Sequence, residues 1–326
     1  MAARAEQSGG LEITDLRHFH APDLAPLLDE ESRNWAERLR WDFTASRDIV
    51  RRYLDQRALS GFALLDGSAL VGYSYYVQED HKVLIGDLFV SQPYRTRETE
   101  HALLRQVVAA ARSLPGVRRV EAQLMMLEAG AIGSLFAPSE LAAFERNFML
   151  LDGIRYLGRE NFGRRPGADL MFERWADSHA EAASQLIARC YHGHLDSQIN
   201  DQYESVAGAR RFLYNIMHYP GCGAFHAPAG VAVFERSSGE FCGLSLASVV
   251  FPGVGHLTQV CVAQPQRGQG IGSELLWRSS QALAGAGCDA ISLTVTAGNA
   301  GAVRLYERIG FRTVRRFYAY VWRGLR

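Results

Sequence analysis

The sequence predicts an α/β protein of the α+β kind, built from two similar domains in tandem. Its 326 residues exceed one average domain and suit two, at roughly 150 residues per domain. The pattern Val-x-Gln-Pro-x-Arg occurs twice, at Val90–Arg95 and at Val262–Arg267, and a pair of leucines follows each copy at the same spacing. A strand-like run precedes each copy, and an amphipathic helix and a further strand follow it. Both halves therefore carry the order strand, loop, helix, strand.

The remaining elements repeat in the same order. In the first half we expect a strand at 11–16, a helix at 23–38, a hairpin at 61–65 and 69–77, a strand at 83–90, a helix near 97–113 and a strand at 117–124. In the second half we expect a strand at 169–175, a helix at 178–190, a hairpin at 231–235 and 243–250, a strand at 256–262, a helix at 271–286 and a strand at 290–295. Asp66-Gly67 is a typical hairpin turn. The stretch Gly163–Gly167 predicts the boundary, which gives domains 1–165 and 166–326.

Composition excludes several functional classes. Basic and acidic residues both number 35, and this zero net charge argues against a nucleic-acid partner. No uncharged apolar stretch is long enough to span a membrane, and the amino terminus lacks the pattern of a secretory signal. The five cysteines are widely spaced without a CxxC pair, so we expect reduced thiols and no zinc site. These features predict a cytoplasmic protein without a membrane partner.

The glycines Gly268, Gly270 and Gly272 stand at alternate positions directly before a helix. A Walker loop would end in Gly-Lys-Ser/Thr, but Ser273 follows Gly272 without a lysine. A dinucleotide fingerprint would need its third glycine where Ser273 stands. A plain tight turn and an anion site remain, and the anion site explains why one turn carries three glycines. The first N–H groups of a helix are unpaired, and glycines let a diphosphate approach them closely.

These residues carry a resemblance to a known family. Arg267-x-x-Gly270-x-Gly272 resembles the acetyl-CoA pyrophosphate loop of the GNAT acyltransferases, and Asn299-x-x-Ala302-x-x-Leu305-Tyr306 resembles the family's closing helix. The resemblance covers the second half and implies two tandem GNAT domains, each a mixed, mostly antiparallel sheet flanked by helices. It implies acetyl-CoA as co-substrate, bound by a set of residues that match the family's cofactor contacts: Val260, Cys261, Val262, Arg267, Gly268, Gln269, Gly270, Ile271, Gly272 and Asn299.

The first half lacks the phosphate loop. Thr96, Glu98 and Glu100 stand where the second half has its three glycines. A carboxylate about 4 Å from a phosphate is repelled by roughly 4 kcal/mol at an effective dielectric constant near 20. We therefore predict a degenerate GNAT domain with a structural or acceptor-shaping role. The alternative is a domain that binds CoA through unusual contacts.

The resemblance also suggests catalytic groups. Tyr306 matches the tyrosine that protonates the departing thiolate, although a tyrosine on an amphipathic helix can also be a core residue. Asn299 matches a cofactor contact and can equally be a helix N-cap. His256 occupies the spacing of a catalytic glutamate in histone-acetylating relatives, so it is our expected general base. The alternative for His256 is a solvent-facing residue at the end of a hairpin.

Two further features leave alternatives open. Cys261 could form an acyl-enzyme, but a thiol in an apolar strand is more often a core residue. The run His192-Gly193-His194-Leu195-Asp196 could recognise the acceptor, lie in solvent or bind a metal, and the metal interpretation lacks a third ligand. The function expected is transfer of an acetyl group to a small-molecule or peptide amine by direct attack. The alternative is a non-catalytic acyl-CoA-binding regulatory module, and either protein could be an oligomer.

Overall fold

The structure, a computed structural model, describes residues 10–127, 132, 135–137 and 139–323. Its helices are α1 (Ala21–Leu39), α2 (Thr44–Asp55), α3 (Arg97–Arg112), α4 (Ala180–Tyr191), α5 (Leu195–Ile199), α6 (Val206–His218), α7 (Ile271–Gly285) and α8 (Ala300–Ile309). Its strands are β1 (Leu11–Asp15), β2 (Gly61–Asp66), β3 (Ala69–Glu79), β4 (Lys82–Val90), β5 (Arg119–Gln123), β6 (Leu141–Asp152), β7 (Leu170–Arg174), β8 (Ala224–Phe225), β9 (Val231–Glu235), β10 (Phe241–Phe251), β11 (Val254–Val262), β12 (Ala290–Thr296) and β13 (Arg312–Trp322).

The chain forms two compact units. The first contains Met1–Leu39, Phe43–Arg146 and Arg316–Arg326, and the second contains Arg40–Asp42 and Asn147–Arg315. The predicted domains are 1–165 and 166–326. In the structure the main part of the second unit already begins at Asn147, and the last residues, from Arg316, belong to the first unit. The reason at the carboxyl end is strand pairing, because Ala319–Trp322 of β13 pair with Val120–Gln123 of β5 in the first unit. A single sequence boundary cannot describe units that are discontinuous in the chain.

The first unit is built on one mixed sheet. Strands β1 to β5 are neighbours in chain order, and each neighbouring pair is antiparallel except β4 and β5, which are parallel. Helix α3 packs on this sheet through an apolar stripe that includes Leu103, Leu104, Val107 and Val108. The predicted mostly antiparallel sheet with flanking helices is confirmed. Helix α2 is not predicted from the sequence, because its apolar stripe is narrow and only Val50 and Leu54 are buried.

A buried pair of acids lies inside the first unit. Glu31 of α1 is fully buried, and it accepts hydrogen bonds from Tyr73 Oη at 2.5 Å and from Trp35 Nε1 at 3.3 Å. Burial and the neighbouring Asp87 raise the pKa of Glu31 well above its usual value. Asp87 accepts the backbone N–H of Leu88 at 2.8 Å, and burial raises the pKa of Asp87 as well. Glu31 therefore holds a proton that the unfolded chain would release.

We expect this proton to make the stability of the first unit fall as pH rises. Between the unfolded pKa of Glu31 and its raised folded pKa, the native state binds the extra proton, so the free energy of unfolding decreases by about 1.4 kcal/mol per pH unit. Glu31→Gln should remove this slope in urea unfolding measured from pH 5 to pH 8. Glu37→Gln, an exposed residue of the same helix, is the control and should keep the slope. An unchanged slope in Glu31→Gln would contradict the assignment.

The second unit is also built on a mixed sheet. Strands β7, β9, β10 and β11 are antiparallel neighbours in that order, β8 lies beside β10, and β12 is parallel to β11. Helix α7 packs on β10 and β11 through residues at four-residue spacing, among them Ile271, Leu275 and Leu283. Helix α4 packs on the same two strands and on α6. This scaffold positions the loops and strand edges of the candidate site.

Candidate active site

Strands β11 and β12 run in parallel and then separate. Their pairing covers Val254–Leu257 against Ala290–Leu293 and ends there, although both strands continue. Strand β10 stays paired with β11 as far as Val262, with a bulge at Thr258, because Leu246 pairs with Gln259 and Ala247 pairs with Leu257. Beyond Leu257, the edge of β11 that turns away from β10 is therefore released from β12. Its backbone groups are available to a bound molecule, apart from the Val262 carbonyl, which accepts hydrogen bonds from Cys190 and Arg267.

A cavity of about 710 Å³ lies at this separation. It is lined by residues from β11, the glycine loop, α4, α7, α8 and the segment before β7: Phe162, Gly163, Arg164, Cys190, Tyr191, His194, Val260, Cys261, Val262, Gln266, Arg267, Gly268, Gly270, Ile271, Gly272, Ser273, Asn299, Gly301, Ala302, Leu305, Tyr306 and Arg308. Every residue expected to bind the cofactor lines it except Gln269, whose side-chain amide donates to the carbonyl of Pro265 at 3.3 Å. The residues that the resemblance assigns to cofactor binding are thus brought together around one cavity.

The glycines of the loop are required by backbone geometry. Gly268 and Gly270 have φ values of +76° and +87°, a region that side chains disfavour. A Cβ atom on Gly270 would also lie 2.7 Å from the carbonyl oxygen of Arg164. Gly270 is the N-cap of α7 and provides no side-chain cap, so the first N–H groups of the helix stay available. Together with the helix dipole, they favour an anion in the cavity.

Three arginines add positive charge to the residues around this anion site. Arg164, Arg267 and Arg308 all line the cavity, and Arg267 is held by a hydrogen bond from its Nε to the carbonyl of Val262 at 3.1 Å. Sequence reasoning missed Arg164 and Arg308 as site residues. Arg164 was visible only as part of the boundary stretch, and Arg308 follows Tyr306 on the closing helix. Arginines suit phosphates because the planar guanidinium can donate two parallel hydrogen bonds.

The corresponding helix end in the first unit is already capped. Thr96 Oγ1 accepts the N–H of Thr99 at 3.2 Å, and Thr99 Oγ1 accepts the N–H of Thr96 at 3.0 Å. The N–H of Glu98 bonds its own carboxylate, which lowers the pKa of Glu98. Glu100, expected beside the phosphates, is buried instead. The chain's own polar groups therefore fill the place that an anion would take at the start of α3.

Tyr306 and Asn299 lie in the cavity wall on α8. Burial, helped by the negative charge of Asp196, raises the pKa of Tyr306 to about 12, so its hydroxyl stays protonated at neutral pH. Its ring packs 5.7 Å from the ring of Phe311. Asn299 is the N-cap of α8, and its Oδ1 accepts the N–H of Ala302 at 3.3 Å. The capping role of Asn299 and its position in the cavity coexist.

The loop between α4 and α5 brings His194 to the cavity. His194 Nδ1 accepts the backbone N–H of Asp196 at 3.1 Å, and the His194 ring meets the ring of Tyr191 edge-on at 5.3 Å. Asp196 also accepts a hydrogen bond from Thr296 Oγ1 at the end of β12. An accepting Nδ1 leaves the proton on Nε2. His192 lies elsewhere, beside Arg189 and Glu204 in a shallow open pocket.

His256 is not part of this cavity, which corrects its expected place. The imidazole is buried beside the rings of Trp41 and Phe148, with centroid distances of 5.0 Å and 6.0 Å. Its Nδ1 is 2.9 Å from Ser292 Oγ. Burial lowers the pKa of His256 to about 3. An imidazole that is so weakly basic and so enclosed is unsuited to take a proton from an acceptor, and it is not the solvent-facing residue of the alternative either.

We expect His256 to make the protein less stable in mild acid. Below pH 6.5, the ordinary pKa of histidine, His256 is protonated in the unfolded chain. In the native protein the buried imidazole stays neutral down to about pH 3. The contribution of His256 to the free energy of unfolding should therefore fall by about 1.4 kcal/mol for each pH unit below 6.5, against the opposite contribution of Glu31, so it is measured as the difference between the wild type and the variant. His256→Gln should remove that slope, whereas the exposed His192→Gln should keep it. Equal slopes in the wild type and His256→Gln, measured by urea unfolding, would contradict the burial argument.

Neither a metal site nor a membrane span is found in the part of the chain that the structure describes. Its histidines, cysteines and acids do not gather in threes at metal-binding distances. None of its helices combines the length and the apolar character needed to cross a bilayer. For the run His192–Asp196, the metal interpretation thus has no further ligand among the described residues.

Comparison with known proteins agrees with this geometry. Residues 185–311 match the model of the acetyltransferase (GNAT) family. A segment of 71 residues is 38% identical to the N-alpha-acetyltransferase MAK3 of Arabidopsis thaliana, and it covers 22% of this chain and 37% of that relative.

Two solved structures share the fold. A tandem GNAT protein from the clavulanic acid biosynthesis pathway has a TM-score of 0.64 at 13% identity, over 96% of this chain and 98% of its own. A GCN5-related N-acetyltransferase from Sphaerobacter thermophilus has a TM-score of 0.65 at 14% identity, over 98% of this chain and 97% of its own. The chain therefore has the fold of these tandem GNAT proteins, and its residues 185–311 match the acetyltransferase (GNAT) family model.

Proposed function

We propose that the second unit binds acetyl-CoA and transfers the acetyl group to an amine. The observation that carries the proposal is one cavity that combines an anion-binding helix end with a buried, protonated tyrosine. The lining fits the coenzyme, because three arginines and the free N–H groups of α7 suit its phosphates. The released edge of β11 at Val260–Val262 suits the amides of a pantetheine arm.

Different residues of the cavity have different roles in the proposed acetyl transfer. Acetyl-CoA supplies an acyl group that is already activated for attack by an amine. Tyr306 Oη holds a proton for the departing sulfur, and its raised pKa keeps that proton in place at neutral pH. Backbone N–H groups on the released edge of β11 are positioned to stabilise a developing oxyanion. His194, with Nε2 carrying the proton, donates a hydrogen bond to the acceptor and orients it.

The acceptor class is proposed from the comparisons and the cavity together. The relative that matches part of the chain is named for N-alpha acetylation, so peptide amino termini lead the acceptors to be tested. Small amines follow, since His194 of the α4–α5 loop lines the same cavity as Tyr306 and can donate a hydrogen bond to a small acceptor. The five free cysteines favour a reducing compartment such as the cytoplasm.

The test combines binding and turnover. Calorimetry with CoA should give one site per chain, because the helix end of α3 is capped by its own side chains. Purified protein with acetyl-CoA should release free thiol when a panel of peptides with free amino termini, amino sugars and small amines is added. Tight binding without turnover on the panel would favour the acyl-CoA-binding module. Absence of CoA binding, or two equivalent sites per chain, would overturn the proposal.

A further inference from the structure

Two cysteines face each other in the cavity wall, and the chemistry proposed above uses neither. Cys190 lies near the end of α4 and Cys261 lies on β11, and both line the cavity. Cys190 Sγ donates to the carbonyl of Val262 at 3.4 Å, one residue along from Cys261. Cys190 packs against the core cluster that contains Cys261, and each thiol shifts the pKa of the other, so the two side chains are neighbours. Helix α4 packs directly on β11, which fixes this approach.

A positive charge adjoins one of the two sulfurs. The guanidinium of Arg267 donates to the same Val262 carbonyl as Cys190, at 3.1 Å, so both side chains converge on one backbone atom. The hydrogen bond from Cys261, opposed by burial and assisted by Arg267, lowers the pKa of Cys190 to about 7. Burial raises the pKa of Cys261 well above its usual value. The Cys190 thiol therefore ionises more readily than the Cys261 thiol, and on ionising it gives up its hydrogen bond to the Val262 carbonyl.

Cys261 keeps its proton at rest, so it offers no resting thiolate for an acyl-enzyme. The arrangement matches a redox pair instead, in which Cys261 gives up its proton only as its sulfur attacks the oxidised partner. The attacking sulfur must be a thiolate that small oxidants can reach, and a second thiol must stand beside it to complete the bond. Cys190 is half-buried on the cavity wall, and Cys261 is the adjacent thiol.

We propose that Cys190 and Cys261 form a peroxide-sensitive thiol pair whose oxidation closes the cavity to CoA. The inference rests on the proposed function in that the cavity is taken to hold the coenzyme. The Cys190 thiolate attacks a hydroperoxide, the O–O bond breaks, and a sulfenic acid forms while hydroxide or an alkoxide leaves and takes up the proton that the Cys190 thiol had released on ionising. The sulfur of Cys261 then attacks Cys190 Sγ, its proton joins the departing hydroxyl, and a disulfide and water result. Two thiols are oxidised and one hydroperoxide is reduced.

Disulfide formation would alter the wall that the coenzyme needs. A disulfide holds its sulfurs about 2.05 Å apart with the Cβ atoms about 3.8 Å apart, which is closer than two hydrogen-bonded thiols. The end of α4 would be drawn towards β11 at the edge formed by Val260–Val262. The negative charge of Cys190, which faces Arg267, would be lost. Oxidation should therefore weaken CoA binding, and a reductant should restore it.

The experiment treats the full chain with a small excess of hydrogen peroxide and reads two independent signals. Intact mass should show the loss of two hydrogen atoms, and a non-reducing peptide map should join the peptides of Cys190 and Cys261. Calorimetry should show CoA affinity reduced at least about tenfold and recovered with dithiothreitol. Bound CoA should slow the oxidation. Cys222→Ser, which changes another half-buried cysteine of the same unit, should behave as the wild type.

Cys190→Ser and Cys261→Ser should each lose the peroxide effect on their own CoA affinity. Their thermal unfolding in the reduced state checks that they are folded, and the peptide map of the wild type decides the disulfide without any variant. Absence of the Cys190–Cys261 link, or a link that leaves CoA affinity unchanged, would overturn the proposal. If the reduced protein binds no CoA, the proposed function fails, whereas the map still reports separately on the thiol pair.

Discussion

Gly272→Glu is expected to weaken CoA binding by about 100-fold or more while the second unit stays folded. A carboxylate about 4 Å from a phosphate is repelled by roughly 4 kcal/mol at an effective dielectric constant near 20. The site tolerates a side chain, since a Cβ on Gly272 would meet only Leu305 Cδ2 at 3.4 Å. An acid in the first turn of α7 also suits the helix dipole. Gly270 is less suitable, because its φ of +87° and the Arg164 carbonyl make any side chain there strained.

The matched control is Gly285→Glu on the same helix. Gly285 is exposed at the other end of α7, and a Cβ there has no neighbour within 4 Å. Calorimetry gives the affinities of both variants, and thermal unfolding reports whether each is folded. Equal CoA affinity in the two variants would show that the phosphates do not lie at the start of α7. In the first unit, Glu98→Gly should leave the stoichiometry at one CoA per chain.

Tyr306→Phe is expected to lower kcat by about 100-fold or more with little change in CoA affinity, since general acid catalysis typically contributes a factor of about 10² to 10⁴. The substitution removes one oxygen and keeps the ring that packs on Phe311. Because the pKa of Tyr306 is about 12, its ionisation should not limit the wild-type rate at moderately alkaline pH.

The control for this variant is Tyr214→Phe, which removes the same atom from a half-exposed tyrosine of α6 in the same unit. Single-turnover measurements separate the chemical step from release of product. An unchanged single-turnover rate in Tyr306→Phe would remove the acid role. A loss of CoA affinity equal to the loss of rate would instead assign Tyr306 to binding.

Burial explains why the sequence did not reveal that His256 lies outside the cavity. His256 has the spacing of a base along its strand, and spacing along a strand fixes which face a residue occupies. It does not reveal that Trp41 and Phe148, distant in sequence, cover that face. His194 was noticed as one member of a loop, but only the fold brings it to the cavity and leaves His192 outside.

The sequence by itself determined the tandem fold, the glycine loop and the motif of α8. Each depends on interactions within a few residues of the chain, such as the positive φ of Gly268 and Gly270 or the capping of α8 by Asn299. Only the tertiary structure decided the limits of the two units, the burial of His256, the three arginines and the meeting of Cys190 with Cys261. Those features depend on which distant segments pack together, and pairing such as that of β13 with β5 leaves no local mark on the sequence.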